Sequence, residues 1–181
     1  MGLLNNIRAY LLARDLKKRR NQRQLSTRKR MNFAQAKAIG ILFEATKLET
    51  RNQALAYAKK LREKDKKVTL LGYFDNKQEH ADFPFNYFTR THVDWAHRPK
   101  SQDVDFFLQA PYDIFIHLNP TPTPITEHIA ALTEAHLKVG PASGTIEHYD
   151  LMVDVADLPA FIQQIDLLFQ KTNVDHEATQ S

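Results

Sequence analysis

The chain contains no cysteine. A disulfide scaffold, a thiolate zinc site and a thiol nucleophile are therefore excluded, although compartment is not, because a cysteine-free chain can reside anywhere. No apolar run approaches the roughly 18 residues that a spanning helix needs. The start of the chain does not read as a secretory signal. Its apolar stretch is interrupted by Asn5, Asn6, Arg8 and Arg14, and its positive charge follows the apolar residues instead of preceding them. Asn6 stands where a myristoylation site wants Ser or Thr. The expectation is a cytoplasmic protein, with peripheral membrane contact as the alternative. No G-x-G-x-x-G follows the first long apolar run, where Glu44-Ala45-Thr46-Lys47 stands instead. A dinucleotide fingerprint is thus missing.

What the chain does have is a charge step. Residues 1–37 carry eleven Lys or Arg against one acid, Asp15, a net +10. Residues 38–181 carry 14 basic and 20 acidic side chains, a net −6. A basic arm is joined to an acidic body, and such a partition points to a polyanionic partner. The candidate polyanion-binding residues are Arg8, Arg14, Lys17, Lys18, Arg19, Arg20, Arg23, Arg28, Lys29 and Arg30, with Lys37 the eleventh basic residue. Leu3, Leu4, Ile7 and Leu11 recur on one face of a 3.6-residue period, which predicts a helix from Leu3 to about Gln22. A polar connector containing Ser26 and Thr27 follows, to about Phe33.

Beyond the arm, strand and helix patterns alternate. Ala38–Phe43, Val68–Phe74 and Tyr112–Leu118 are continuous apolar runs suited to buried parallel strands. Phe85–Phe88, Leu137–Val139 and Tyr149–Val155 are shorter strand candidates. Helical spacing marks 50–64, 102–109 and 125–135, the last entered through Pro120, Pro122 and Pro124 with Thr123 as N-cap. A closing helix follows Asp157, with Leu158, Phe161, Ile162, Ile165, Leu168 and Phe169 on its apolar face. The predicted class is α/β: a single, mainly parallel, Rossmann-like sheet with helices on both faces, plus the basic N-terminal helix. The expected division is an arm and connector, 1–35, an α/β domain, 36–171, and a polar tail, 172–181.

The segments KAIGILFEA, FNYFTRTHVDW, PYDIFIHLN, AHLKVGPAS and YDLMVDV, together with the basic arm, resemble an uncharacterised family of small bacterial proteins, a domain of unknown function. The resemblance spans nearly the whole chain. It implies a compact Rossmann-like α/β fold and no established activity, so it transfers no catalytic residue.

Open parallel sheets take ligands beyond the carboxyl ends of their strands. That edge should gather Glu44, Thr46, Asp75, Asn76, Asn119, Thr121 and Ser143, a candidate ligand pocket made of residues that equally serve turns and caps. Gly140-Pro-Ala-Ser-Gly-Thr145 offers backbone amides to a phosphate, but it lacks the Walker lysine and reads better as a turn. His92, Asp94 and His97 are metal-ligand types at a non-standard spacing, with His80 and Asp82 nearby. They read better as loop residues. His117 is expected to be a core or strand-end histidine satisfied by a hydrogen bond. Ser143, His148 and Asp150 contain triad residue types without a nucleophile elbow. Phe83, Phe85, Tyr87, Phe88 and Trp95 form an aromatic segment read as core plugging in preference to base stacking. No catalytic residue, metal or cofactor is implied.

The functional expectation is a non-enzymatic binding or accessory protein that contacts a polyanion through its arm, with RNA or the ribosome ahead of an anionic membrane surface. The apolar face of the arm also suits a protein partner. The alternative class is a small enzyme or nucleotide-binding module using the strand-end pocket.

Overall fold

The computed structural model describes residues 7, 10, 11, 14, 28–78 and 82–177, with side chains in the last helix as far as 172. The body is one six-stranded sheet in the order β3-β2-β1-β4-β5-β6, every neighbouring pair parallel. Its strands are β1 (Ala38–Glu44), β2 (Lys67–Phe74), β3 (Asn86–Thr89), β4 (Tyr112–Leu118), β5 (Ala135–Pro141) and β6 (Leu151–Val153). The three predicted apolar runs are the adjacent central strands β2, β1 and β4. They are mostly apolar because both faces are covered. Ile39, Ile41 and Phe43 face one hydrophobic cluster, and Leu42 on the same strand faces the other.

Two helices cover each face. On the first lie α1 (Leu48–Arg62), burying Ala54, Tyr57, Ala58 and Leu61, and the closing helix α4 (Leu158–Glu177), burying Leu158, Phe161, Ile165 and Phe169. On the second lie α2 (Gln102–Gln109), burying Val104, Phe107 and Leu108, and α3 (Pro124–Leu132), burying Ile129, Ala130 and Leu132. Local signals start these helices. Asp157 Oδ1 accepts from the Ala160 amide at 2.9 Å, Ser101 caps α2, and Thr123 and Thr126 form a reciprocal capping box ahead of α3 with Pro124 in its first turn.

Several boundaries differ from the sequence expectation, the clearest at the end of α3 and at the last strand. The helix predicted to run to Ala135 ends at Leu132, where Thr133 turns extended and its hydroxyl donates to the Ile129 carbonyl at 2.8 Å. Ala135 instead opens β5 opposite Tyr112. Alanine's helix propensity yields to strand pairing. The last strand shortens to Leu151–Val153, because Tyr149 closes a short 3-10 turn at Ile146–His148, its amide bonded to the Ile146 carbonyl.

The core reaches back into the connector. Phe33 is buried and stacks on Phe169, with ring centroids 4.6 Å apart. The Lys66 ammonium donates to the Phe33 and Ala36 carbonyls at 2.9 and 2.7 Å. Further back, Arg28 pairs with Asp150 at 2.9 Å, and the Lys29 amide donates to His136 Nδ1 at 3.2 Å. The connector is therefore tied to the body near the amino ends of β5 and β6.

Candidate functional site

The order of the strands reverses between β1 and β4, so the carboxyl ends of these two strands flank the topological switch point where such sheets take ligands. Phe43 pairs with Leu118, which sets Glu44 and Asn119 next along the neighbouring strand ends. The predicted pocket residues divide into two groups around this point.

On the β1–β2–β3 side, the polar groups satisfy one another. Glu44 Oε1 accepts from the Thr46 amide at 2.7 Å, and Thr46 Oγ1 accepts from the Asp75 amide at 2.7 Å. The Arg51 guanidinium reaches back from α1 to the Ala45 and Thr46 carbonyls at 2.6 and 3.0 Å. The first β–α turn thus holds its own carboxylate and its own cation, where a dinucleotide fold would hold a pyrophosphate. Asp75 receives the Tyr73 hydroxyl at 2.8 Å and the Arg90 guanidinium at 2.5 and 3.1 Å. Partial burial raises its pKa, but Arg90 and Tyr73 outweigh that and hold the carboxyl below its ordinary value. Asn76 Oδ1 accepts from the Gln78 amide at 3.0 Å, and its carbonyl accepts from the Arg90 amide at 2.9 Å.

On the β4–β5 side, the structure assembles a network that sequence reasoning missed. His117, near the end of β4, is fully buried and lies opposite Leu42, on the face covered by α2 and α3. Ile116 pairs with Val139, which sets His117 beside Gly140 of β5. The Tyr149 ring covers Gly140, and its hydroxyl lies 2.6 Å from His117 Nδ1 and 2.5 Å from Glu127 Oε1. Glu127 Oε1 is itself 3.6 Å from Nδ1, so the tyrosine hydroxyl is the intermediary. Glu127 Oε2 accepts from the Thr145 amide and from His148 Nδ1, both at 3.0 Å.

The protonation states follow from this geometry. Burial raises the pKa of Glu127, but hydrogen bonds from the surrounding His, Tyr and amide groups prevail and hold it well below the usual carboxylate range. The carboxylate is ionised and accepts only. The single Tyr149 proton goes to Glu127, and burial beside that carboxylate holds the phenol far above its ordinary pKa. The tyrosine oxygen then accepts from His117, so Nδ1 carries the imidazole hydrogen. Burial pushes His117 below its ordinary value, against the pull of Glu127, and keeps the ring neutral. Its remaining nitrogen, Nε2, is a buried lone pair with no hydrogen-bond partner among the described residues. Two residues on, Asn119 Oδ1 accepts from the Thr121 amide at 3.1 Å, while its Nδ2 is buried without a partner among the described residues. Each such group costs about 1–3 kcal/mol when left unsatisfied. A nearby buried cation, Lys138, has its ammonium bonded to the Ala130 carbonyl in the last turn of α3, where the helix dipole favours positive charge.

The remaining sequence candidates serve the fold. Ser143 Oγ donates to the Pro120 carbonyl at 2.7 Å, His148 bonds Glu127, and Asp150 receives Arg28 and the Lys138 amide, so these three do not form a triad. The Gly140–Thr145 segment does cradle an anion, and the anion is Glu127. A Cβ on Gly144 would come 2.8 Å from Glu127 Oε1. Asp94 accepts from the Ala96 and Arg98 amides and from the Arg98 side chain, while His92 Nδ1 accepts from the Thr89 amide at 3.1 Å. Among the described residues, no group of three or more His, Asp or Glu is placed to hold a metal ion. Phe85 and Phe88 are buried in the core, whereas Trp95 is exposed.

Within the arm, Ile7, Tyr10, Leu11 and Arg14 are described and helical; Ile7, Tyr10 and Arg14 are exposed. Arg28, Lys29 and Arg30 are exposed on the connector. Arg8, Lys17, Lys18, Arg19, Arg20 and Arg23 lie outside the described residues, as do Leu3 and Leu4 of the predicted apolar face. No helix among the described residues is long and apolar enough to cross a membrane. The chain belongs to a family of unknown function, DUF6913, matched over residues 8–170. No curated protein and no solved structure matches it.

Proposed function

We propose that this member of a family of unknown function is a non-enzymatic binding or accessory protein that grips a polyanion, RNA in first place, through its basic N-terminal arm. The observation that carries the reading is the charge partition, +10 on residues 1–37 against −6 on the rest. A phosphate backbone is drawn to the arm and repelled by the body. The tether at Arg28 and Lys29 supports it, because the arm then departs near the amino ends of β5 and β6. The carboxylates Glu44, Asp75 and Glu127 belong to the opposite, carboxyl-end edge. Arginine, the commonest cation of the arm, suits bidentate phosphate contact.

The membrane reading keeps one specific observation. Ile7 and Tyr10 are exposed apolar side chains one helical turn apart. One experiment separates the two. Affinity for a single-stranded RNA and for anionic vesicles is measured across a salt series. The proteins are the full chain and a variant with Lys17, Lys18, Arg19 and Arg20 changed to Gln. For RNA, the variant should lose a salt slope of about 3, at roughly 0.7 per phosphate contact. An unchanged slope overturns the role of the arm. Binding to vesicles and not to RNA, lost on Leu4→Ser with Leu11→Ser, replaces RNA with membrane.

A further inference from the structure

The β1–β2–β3 side of the strand-end edge is saturated by its own ion pairs and turns. The β4–β5 side is not. There, two buried polar atoms of opposite character remain without a partner among the described residues: the His117 Nε2 lone pair and the Asn119 Nδ2 donor. They sit two residues apart on one strand end, where the Asn119 amide turns back onto the His117 carbonyl at 2.9 Å. This tight turn holds Asn119 closer to His117 than an extended strand would. One atom placed between the two groups would hydrogen-bond to both.

The rest of the network fixes what that atom can be. His117 is locked in one tautomer by Tyr149 and Glu127, so its free nitrogen can only accept. The Asn119 amide is oriented by the Thr121 amide on its oxygen, so its free end can only donate. A hydroxyl answers both at once, giving its proton to Nε2 and taking one from Nδ2. An anion fits badly. It would face a bare lone pair, with the Glu127 carboxylate one hydroxyl behind the ring. The location is also where open α/β sheets take ligands, and exposed Thr121 brings solvent within two residues of Asn119.

We infer that the carboxyl end of β4 is a binding site for a neutral, hydroxyl-bearing small molecule, with His117 Nε2 accepting the hydroxyl proton and Asn119 Nδ2 donating to its oxygen. Tyr149 and Glu127 are positioning residues for this site: they act through His117 and set its tautomer. The site lies at the edge opposite the arm's tether and does not depend on polyanion binding.

The test uses the full chain with ¹⁵N-labelled histidine and follows the His117 ring nitrogens by nuclear magnetic resonance. The probes are D-ribose and glycerol, with inorganic phosphate as the anionic control. The free protein should show the hydrogen on Nδ1. Ribose or glycerol should shift the Nε2 resonance saturably, and phosphate should not. Asn119→Asp keeps the oxygen that accepts from Thr121 and removes the donor, so it should weaken the polyol about tenfold or more, with circular dichroism unchanged. If that variant does not fold, the wild-type titration still decides. A hydrogen on Nε2 overturns the proposal, as does the absence of a saturable shift with either polyol. Phosphate acting as strongly as the polyols overturns the neutral ligand class. A long-lived water bonded to Nε2 that neither polyol displaces reduces the site to a structural water and equally overturns it.

Discussion

The ring of Tyr149 rests on the bare α-carbon of Gly140: a Cβ built there would lie 2.2 Å from the ring. This contact lets the hydroxyl reach across β5 to His117 and Glu127. Gly140→Ala should therefore destabilise the protein by about 1–3 kcal/mol, the range for overpacking. Combined with Tyr149→Leu, the two costs should fall short of additive, because the second change removes the ring that the new methyl strikes. Urea denaturation of the two single variants and the double variant measures this coupling. Full additivity would place the strain elsewhere.

His117 should make stability depend on pH. Its folded pKa is lowered, chiefly by burial, so the unfolded chain binds the proton more readily. The contribution is complete above the unfolded pKa of about 6.5 and is lost as pH falls below it. Between about pH 6 and 5, the wild type should lose up to about 1.4 kcal/mol per pH unit more than His117→Phe. Parallel stability curves for the two proteins would show that His117 is not buried neutral.

Glu127 acts in a lower window. Its folded pKa lies well below the ordinary range because hydrogen bonds to its carboxylate prevail over burial. Its contribution is present above the unfolded value of about 4.3 and declines as pH falls further. Glu127→Gln should cost about 2–3 kcal/mol at neutral pH, the scale of a lost hydrogen-bonded charge, and the gap should narrow towards pH 3. A gap that does not vary with pH would mean that shape, not charge, holds Tyr149 and Thr145.

The closing helix and the connector should behave as one packing unit. Phe161 is fully buried, so Phe161→Ala should cost about 3–5 kcal/mol. Phe33→Ala should cost about 3 kcal/mol through the lost stack on Phe169, even though Phe33 precedes the first strand. Arg28→Ala should cost well under 1 kcal/mol, because its pair with Asp150 is exposed. Thermal midpoints of the three variants rank these effects. An Arg28 effect as large as that of Phe33 would show that the exposed tether, and not the aromatic stack, holds the connector.

Much of the fold was legible along the chain because its signals are local. AIGILF is apolar at every position and YDIFIHL at all but Asp113 and His117, the pattern of a strand covered on both faces. Thr123 with Pro124, and Asp157 before Leu158, announce helix starts through capping chemistry that involves neighbours in sequence. The glycines were harder to read. The chain has 5, and each of the four in the body, Gly40, Gly72, Gly140 and Gly144, has an aromatic ring or Glu127 where a Cβ would go. None adopts positive φ. Reading Gly140-Pro-Ala-Ser-Gly-Thr as a turn identified its backbone and missed its occupant. Glu127 lies thirteen or more residues away and looks like an ordinary acid at a helix start.

The sequence by itself determined the alternation of strands and helices, the apolar faces, the helix caps and the charge step between arm and body. All of these depend on residues within a few positions of one another or on composition. The tertiary structure alone decided that β1 and β4 are neighbours across the point of reversal. It also decided that the carboxylates Glu44 and Glu127 fill the turns where a ligand's phosphate would sit. Last, it joined His117, Tyr149 and Glu127 in one hydrogen-bonded chain, leaving a histidine nitrogen and an asparagine amide buried without partners among the described residues. Those relations require chain segments dozens of residues apart to meet, and no local propensity records which segments those will be.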